Sequence, residues 1–320
     1  MAKNENTLRP IKLSKFFGQK DIVKRLRAYL YSAKKRSCAI DHMLFYGPPG
    51  LGKTTLANIV ANELKANIVT ISAPTLAKPG DLASILSTLN AGDILFIDEI
   101  HRLDKSIEET LYSVLEDFKL NITYKTEENV KALSINISPF TLIGATTMAG
   151  LLSIPLRERF GIVFKFNYYS VEEISEIVLN NSKILEINIT NEECFEIAKR
   201  SRQTPRVANN ILKRVFDYII FKKIEDLSIK KLGDAFEFLH IDSDGLNDDD
   251  IDIIKAMYIN YKTTPVSLES IANLINENPL NIREINEPFL VSSGYIERTK
   301  RGRILTKKGV EKYKSIFSPQ

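Results

Sequence analysis

The sequence predicts an α/β fold, a parallel sheet covered by helices on both faces, followed by an all-helical segment and a small winged-helix domain. Three observations predict it. Up to about Tyr169, short and near-continuous apolar runs alternate with amphipathic helical periods, as in a sheet buried on both faces. From Ser170 to about His240 the strand signal disappears. Beyond an acidic stretch, three helical patterns precede a basic, hairpin-like run.

The strands expected are Met43–Tyr46, Ile68–Ile71, Ile94–Ile97, Phe140–Gly144 and Ile162–Phe166, with helices around Lys53–Leu64, Gly80–Leu89 and Ser106–Leu115. Helices follow over Val171–Leu185, Asn191–Ser201, Arg206–Lys222 and Ile229–Phe238, with Ser170 and Thr190 as N-caps. The stretch from Asp242 to Asp250 is polar and lacks apolar periodicity, so it marks the next boundary. Helices near Ile251–Tyr261, Ser267–Ile275 and Asn281–Leu290 come next, then a hairpin over Tyr295–Leu305 that turns at Lys300-Arg301-Gly302. A chain of 320 residues has room for two or three cores. The reading divides it at 1–169, 170–240 and 241–320.

Between the first strand and first helix lies Gly47-Pro48-Pro49-Gly50-Leu51-Gly52-Lys53-Thr54-Thr55, which satisfies the G-x-x-x-x-G-K-[ST] pattern of a triphosphate cradle. Gly47, Gly50 and Gly52 tolerate positive φ and let backbone N–H groups approach phosphate oxygens. The following helix N-terminus adds unpaired donors and a positive dipole end. Lys53 would reach the β and γ phosphates, and the Thr54 hydroxyl would ligate Mg²⁺. About 45 residues on, Ile94-Leu95-Phe96-Ile97 delivers Asp98 and Glu99 at a strand's C-terminal end, where open α/β sheets bind ligands. Asp98 can hold Mg²⁺ through water, and Glu99 can orient or deprotonate an attacking water. Binding alone needs no second carboxylate, so the pair points to hydrolysis of the bound triphosphate. His101 carries no evident chemistry and reads as structural. Arg157 and Arg159, in Pro-Leu-Arg-Glu-Arg-Phe-Gly, could supply an arginine finger, worth about 10³–10⁵ in rate, or be ordinary surface charges. Arg206, opening a helix after Pro205, could lie over the phosphates or on the surface.

Composition excludes several classes. Net charge is +4, too mild to argue for nucleic acid by itself. Cys38 and Cys194 have neither C-x-x-C spacing nor metal-site company, so no disulfide scaffold or zinc site is expected, and both read as buried or half-buried thiols. The N-terminal residues lack the apolar core of a signal peptide. The uncharged stretch Ala132–Leu156 is broken by Asn136, Pro139, Gly144, Gly150 and Pro155, short of the roughly twenty apolar residues of a membrane span. A cytoplasmic protein without a membrane partner is expected. Charge is concentrated in Arg298, Lys300, Arg301, Arg303, Lys307, Lys308, Lys312 and Lys314, which would give a phosphate-binding surface whose affinity falls with salt, although Lys307 to Lys314 fit a solvated, lysine-rich helix equally. The wing turn carries no Asn or Gln to read bases, so backbone contact without sequence preference is expected.

Taken together the segments resemble the AAA+ ATPases, and among them the RuvB family of Holliday-junction branch-migration motors. The match includes Leu8-Arg9-Pro10, Phe17-Gly18-Gln19, Asp41-His42, Lys78-Pro79-Gly80-Asp81-Leu82 and Gly92 through Leu103. It continues with Glu116-Asp117-Phe118, Phe140 through Thr147, Arg159-Phe160-Gly161-Ile162, Glu287-Pro288-Phe289-Leu290 and Arg298 through Arg303. The resemblance implies an AAA+ ATPase domain, a helical lid and a winged-helix head. Leu8 and Arg9 would line the adenine end of the pocket. Gly50, Gly52, Lys53, Thr54 and Thr55 would hold phosphates, with Thr54 and Asp98 on Mg²⁺. Asp98 and Glu99 would form the acidic pair, and Thr147, in preference to Thr146, would position the water. Arg159 would reach into a neighbour's site, near which Glu116, Asp117 and Phe118 lie. Tyr169 and Arg206 would close the pocket from the lid, and Arg298, Arg301 and Arg303 would contact DNA. A finger given in trans implies a ring, hexameric in the family, working on four-way junctions and duplex arms in recombination and repair, with a RuvA-type junction-binding partner and a RuvC-type resolvase.

This chain departs from the family where a Gly-x-Gly-Pro run and Ala-Arg-Ser are usual. It reads Tyr124-Lys125-Thr126-Glu127-Glu128-Asn129-Val130-Lys131 in what the family uses as a hairpin docking on RuvA. Lys300 replaces a usual wing proline, and Tyr261-Lys262-Thr263-Thr264-Pro265 replaces a Gly-rich stretch. Two other readings are a clamp-loader-like replication ATPase and an ATP-switched winged-helix regulator. The first lacks its Ser-Arg-Cys finger motif here, and the second has no need of Glu99 and Arg159.

Overall fold

Hydrogen bonding divides the chain by sheet. The computed structural model describes residues 8–36, 38–125, 130–225 and 227–317, with 122–125 and 130–133 by backbone alone. It forms two compact units. One runs to Ile187 and takes back Gln203–Asn209; the other holds Asn188–Arg202 and the chain from Asn210.

In the first unit α1 (Lys20–Arg36) precedes β1 (Met43–Tyr46), α2 (Lys53–Leu64), β2 (Ile68–Ser72), α3 (Pro79–Leu86) and β3 (Ile94–Asp98). Then come α4 (Lys105–Asp117), a hairpin of β4 (Lys119–Lys125) and β5 (Val130–Asn136), β6 (Thr141–Thr146), α5 (Ile154–Glu158), β7 (Ile162–Lys165) and α6 (Val171–Leu185). The sequence reading did not assign α1, although Ile22, Leu26, Leu30 and Ala33 bury one helical face. It also assigned no strands at β4 and β5; residues 126–129, within the departing stretch, lie outside those described. Cys38 is exposed, not half-buried as expected, because α1 ends before it; Cys194 is buried.

Five strands pair in the order β2-β3-β6-β1-β7, all parallel. β1, β3 and β6 are wholly or almost wholly buried, which explains their unbroken apolar runs. β6 lies between β1 and β3, so their three C-terminal ends share one edge of the sheet. Gly144 in β6 allows the chain after β3 to pack close: a Cβ there would meet Ile100 Cδ1 at 2.9 Å.

His42 ties the sheet to α4. Its Nδ1 accepts from Leu142 N at 2.9 Å, so Nε2 carries the proton and faces Leu115 O at 3.4 Å. Burial lowers its pKa, against the opposing effects of the Leu115 carbonyl and Asp41.

The second unit contains α7 (Asn191–Lys199), most of α8 (Pro205–Lys222), and α9 (Ile229–Phe238). Ser170 caps α6 by accepting from Glu173 N at 3.2 Å, and at Thr190, the N-cap of α7, Glu193 accepts the backbone N–H at 2.7 Å. Next are α10 (Asp248–Tyr261), α11 (Leu268–Ile275), α12 (Pro279–Asn281), a π-helical turn Ile282–Asn286, α13 (Glu287–Ser292), the hairpin β8 (Ile296–Thr299) and β9 (Gly302–Leu305), and α14 (Lys307–Phe317). The helix expected over Asn281–Leu290 is therefore broken by the π turn. Val266 pairs with Arg303 as a third strand position, and a Cβ on Gly302 would meet the Val266 carbonyl at 2.3 Å, so the wing turn requires glycine. The acidic stretch is built into this unit. Lys312 bridges Asp242 at 2.7 Å and Asp244 at 2.5 Å, Leu246 is buried, and buried Asp250 accepts from Arg202 at 2.6 Å and Asn286 at 2.8 Å.

No helix among the described residues is long and apolar enough to cross a membrane.

Because folding lowers the pKa of His42, its stabilising share is complete above about pH 6.5 and is lost as pH falls below it, where the unfolded chain binds the extra proton. His42→Phe should therefore lose less thermal stability than the natural chain between pH 8 and pH 5.5. Calorimetry at the two pH values checks this; equal losses would contradict it.

Candidate nucleotide site and wing

The loop after β1 is shaped by its backbone. Gly47 has φ +142°, and a Cβ there would lie 2.5 Å from the Phe166 carbonyl oxygen. Gly52, at φ +97°, forms the N-cap of α2. The Gly47 N–H donates to Thr146 O at 3.2 Å, which pins the loop to the end of β6. Lys53 is buried, and its ammonium donates to Gly47 O at 2.7 Å and Pro48 O at 2.9 Å. Burial lowers its pKa, while the charges of Glu99 and Asp98 raise it.

A cavity of about 550 Å³ adjoins this loop, lined by Leu8, Arg9, Gly52, Thr55, Tyr169 and Asn181 among others. The structure thus brings together the expected residues of the adenine end, the cradle and the lid side. Tyr169 is buried, donates its hydroxyl to Leu51 O at 3.1 Å, and has its pKa pushed well up by burial. Its backbone N–H donates to Gln203 O at 3.1 Å. Pro205 opens α8, and the Arg206 N–H reaches Gly50 O at 3.4 Å. A Cβ on Gly50 would sit 3.2 Å from Arg206 Cβ, so the second expected arginine begins directly over the cradle. Asn181 and Asn209, absent from the sequence reading, join across this cavity through a 2.7 Å amide hydrogen bond. Uncharged amides have no recognisable sequence spacing, and only the fold brings these two together.

At the end of β3, burial raises the pKa of Asp98; the Glu99 N–H, donated at 3.0 Å, opposes this and the Glu99 charge adds to it. A partly desolvated carboxylate beside a second one fits a divalent cation, which would favour the ionised form. Glu99 has φ 49° and ψ 43°, a left-handed conformation costing a non-glycine residue about 1–2 kcal/mol. That bend leads into a 3-10 turn, Ile100–Arg102, and returns His101 to the Glu99 carboxylate. Thr147 Oγ1 donates to Glu99 Oε2 at 3.2 Å, and His101 Nδ1 lies 3.2 Å from the same oxygen. Thr146 instead contacts His101, at 2.9 Å. His101, read from sequence as structural, therefore touches the acid.

Arg159 does not line the cavity. It ends α5 and pairs with Glu116 Oε1 at 2.9 Å, close to Asp117 and Phe118 at the end of α4. Its Nε is buried without a hydrogen-bond partner among the described residues.

In the wing, Arg298 and Arg303 stand opposite each other across the β8–β9 ladder. Like charges there would repel, and Glu287 lies between them. It accepts from Arg298 Nε at 2.7 Å and from Arg303 at 2.8 and 3.2 Å, and its side chain is 2% exposed. Desolvation opposes ionisation, yet the hydrogen bonds and charges of Arg303 and Arg298 hold the carboxyl below its usual range. Arg303 is thereby part of the fold as well as of the basic face, while Arg298 stays half exposed and Arg301, at the turn, is exposed.

Family models match three successive segments of the chain. Residues 8–166 match the family model described as the Holliday junction DNA helicase RuvB P-loop domain, 169–242 the RuvB AAA lid domain, and 243–314 the RuvB C-terminal winged helix domain. A curated relative from Fusobacterium nucleatum, the Holliday junction branch migration complex subunit RuvB, is 46% identical over 315 residues, covering 98% of this chain and 94% of the relative. The protein of that name from Staphylococcus saprophyticus is 47% identical over 302 residues, covering 94% and 90%. Among solved structures, the Thermotoga maritima RuvB Holliday junction branch migration motor superposes with a TM-score of 0.85 at 43% identity, covering 96% of this chain and 98% of that one. Cradle, acidic pair, lid and wing thus lie on a chain that belongs to the RuvB family of AAA+ ATPases.

Proposed function

We propose that this chain is an ATP-driven motor that draws duplex arms through a Holliday junction during recombination and repair in the cytoplasm. It works as a ring, six-membered by family resemblance, with a RuvA-type junction-binding protein and alongside a RuvC-type resolvase. Residues 1–169 hydrolyse ATP, 170–240 form the lid and 241–320 the DNA-binding head. The observation that carries the reading is Glu99, held by Thr147 at the end of β3 beside the cradle that contains Lys53.

Leu8 and Arg9 receive the adenine end, and Gly50, Gly52, Lys53, Thr54 and Thr55 take the phosphates. Thr54 and Asp98 would hold Mg²⁺, whose charge neutralises phosphate oxygens. Glu99 orients a water and accepts its proton as that water's oxygen bonds to the γ-phosphorus and the β–γ bridge breaks, leaving ADP and phosphate. Lys53 stabilises charge on the leaving oxygens, and Arg206 and Tyr169 link the lid to the nucleotide. Arg159 exchanges its pairing with Glu116 for a neighbour's γ-phosphate, with Glu116, Asp117 and Phe118 at the same boundary. The alternative of a simple ATP switch is disfavoured by the strained, hydrogen-bonded Glu99.

The direct test is ATP-dependent branch migration of a synthetic four-way junction, with and without the junction-binding partner. Robust ATPase activity without migration would sink the motor reading. Arg159→Ala should bind nucleotide normally while its hydrolysis falls by about 10³-fold or more. Mixing it with Lys53→Ala chains should restore part of the rate, because each defect then falls in a different shared site; normal hydrolysis by the Arg159 variant would remove it from this role.

For the head, Arg301→Ala should weaken duplex binding equally across sequences and reduce the salt slope by about one, leaving thermal stability unchanged. Arg303→Ala should weaken binding and also destabilise the head by about 3 kcal/mol, since it leaves buried Glu287 half unpaired. Filter binding against salt, with urea unfolding of each variant, separates the two. An Arg303 variant of natural stability would contradict the structural part of its role.

A further inference from the structure

The hydrogen bonds around Glu99 extend beyond the threonine at the end of β6. Thr147 donates to Oε2 at 3.2 Å, and His101 Nδ1 approaches that same oxygen to 3.2 Å. Thr146 Oγ1 contacts His101 Nδ1 at 2.9 Å while accepting the Met148 N–H at 2.9 Å. The His101 side chain is 9% exposed, so solvent has little access to compete for it.

The network assigns the proton. An unprotonated Nδ1 would set its lone pair against a carboxylate oxygen, whereas Nδ1–H serves two acceptors, Thr146 Oγ1 at 2.9 Å and the Glu99 carboxylate oxygen at 3.2 Å. The Met148 N–H fixes Thr146, whose Oγ1 accepts from Nδ1 and so braces the imidazole beside Glu99. The Thr147 hydroxyl and the shared Nδ1 proton therefore both face Oε2 and leave Oε1 as the oxygen available to an attacking water. Thr146 and Thr147, adjacent at the end of one buried strand, thus reach the same carboxylate, one directly and one through the ring.

We propose that His101 is a positioning residue for hydrolysis, which with Thr147 fixes the Glu99 carboxylate so that a single oxygen serves the water. The proposal rests on the reading of Glu99 as the water-orienting group, and the experiment keeps the two apart.

Single-turnover and steady-state ATP hydrolysis would be measured for the full chain with Glu99→Gln, His101→Ala, His101→Asn and His101→Gln, together with nucleotide affinity and melting temperature. His101→Ala should lower kcat about 10- to 100-fold, the scale of a misplaced reacting group, with affinity unchanged. His101→Asn puts an amide donor near the Nδ1 position and should recover most of the loss. His101→Gln puts its donor nearer Nε2 and should not. In a Glu99→Gln background, His101→Ala should have no further effect, because the two act as one unit.

If Glu99→Gln hydrolyses ATP normally, the reading of Glu99 fails. If that variant is inactive but His101→Ala turns over at the natural rate, the inference about His101 fails. It fails equally if stable His101→Asn is as slow as His101→Ala, or if the loss in each variant follows its melting temperature. Should His101→Ala not fold, the Asn and Gln variants still decide the matter by their difference.

Discussion

Parallel pairing of five strands in the order β2-β3-β6-β1-β7 is the constraint on which the nucleotide site depends. Parallel strands end on the same side, so the loop after β1, the threonines at the end of β6 and the acids at the end of β3 meet at one edge. Insertion of β6 between β1 and β3 makes the threonines neighbours of both. Close packing reinforces this: Gly144 admits Ile100, and the Gly47 N–H is fixed to Thr146 O. A bulkier residue at 144 would push the turn carrying His101 away from β6.

Several of the cations proposed to act are held in internal contacts. Lys53 donates to loop carbonyls, Arg159 pairs with Glu116, and Arg298 and Arg303 share Glu287. Pairing lowers the cost of presenting a guanidinium or ammonium in a partly desolvated place. It also means that binding is an exchange of partners, whose net free energy is smaller than a count of new contacts suggests. Glu287 illustrates the structural half of this arrangement, since without it two arginines would face each other across a two-stranded ladder.

The sequence made the cradle, the acidic pair and the alternating core legible because each is encoded by contiguous residues or a local period. Ser170 and Thr190 were legible as caps for the same reason. What escaped depends on distant neighbours. His101 gains its role from the left-handed backbone at Glu99 and the position of Thr146, neither of which spacing reveals. Glu287 was visible only as part of a family stretch, and its partners lie eleven and sixteen residues on. Asp250 looked like part of a polar boundary, yet it is buried against Arg202. Asn181 and Asn209 meet only because α6 and the start of α8 belong to the same unit. The α1 helix was obscured by lysines and arginines surrounding its four buried positions.

In the proposed mechanism one chain holds an incomplete hydrolytic site, completed by Arg159 of another copy. The most direct measurement is the ATPase rate per chain across a dilution series, with the assembly state followed by mass photometry in the same samples. A shared site requires a rate that is negligible while chains are monomeric and rises steeply as rings form. A constant rate per chain through the monomeric range would contradict it.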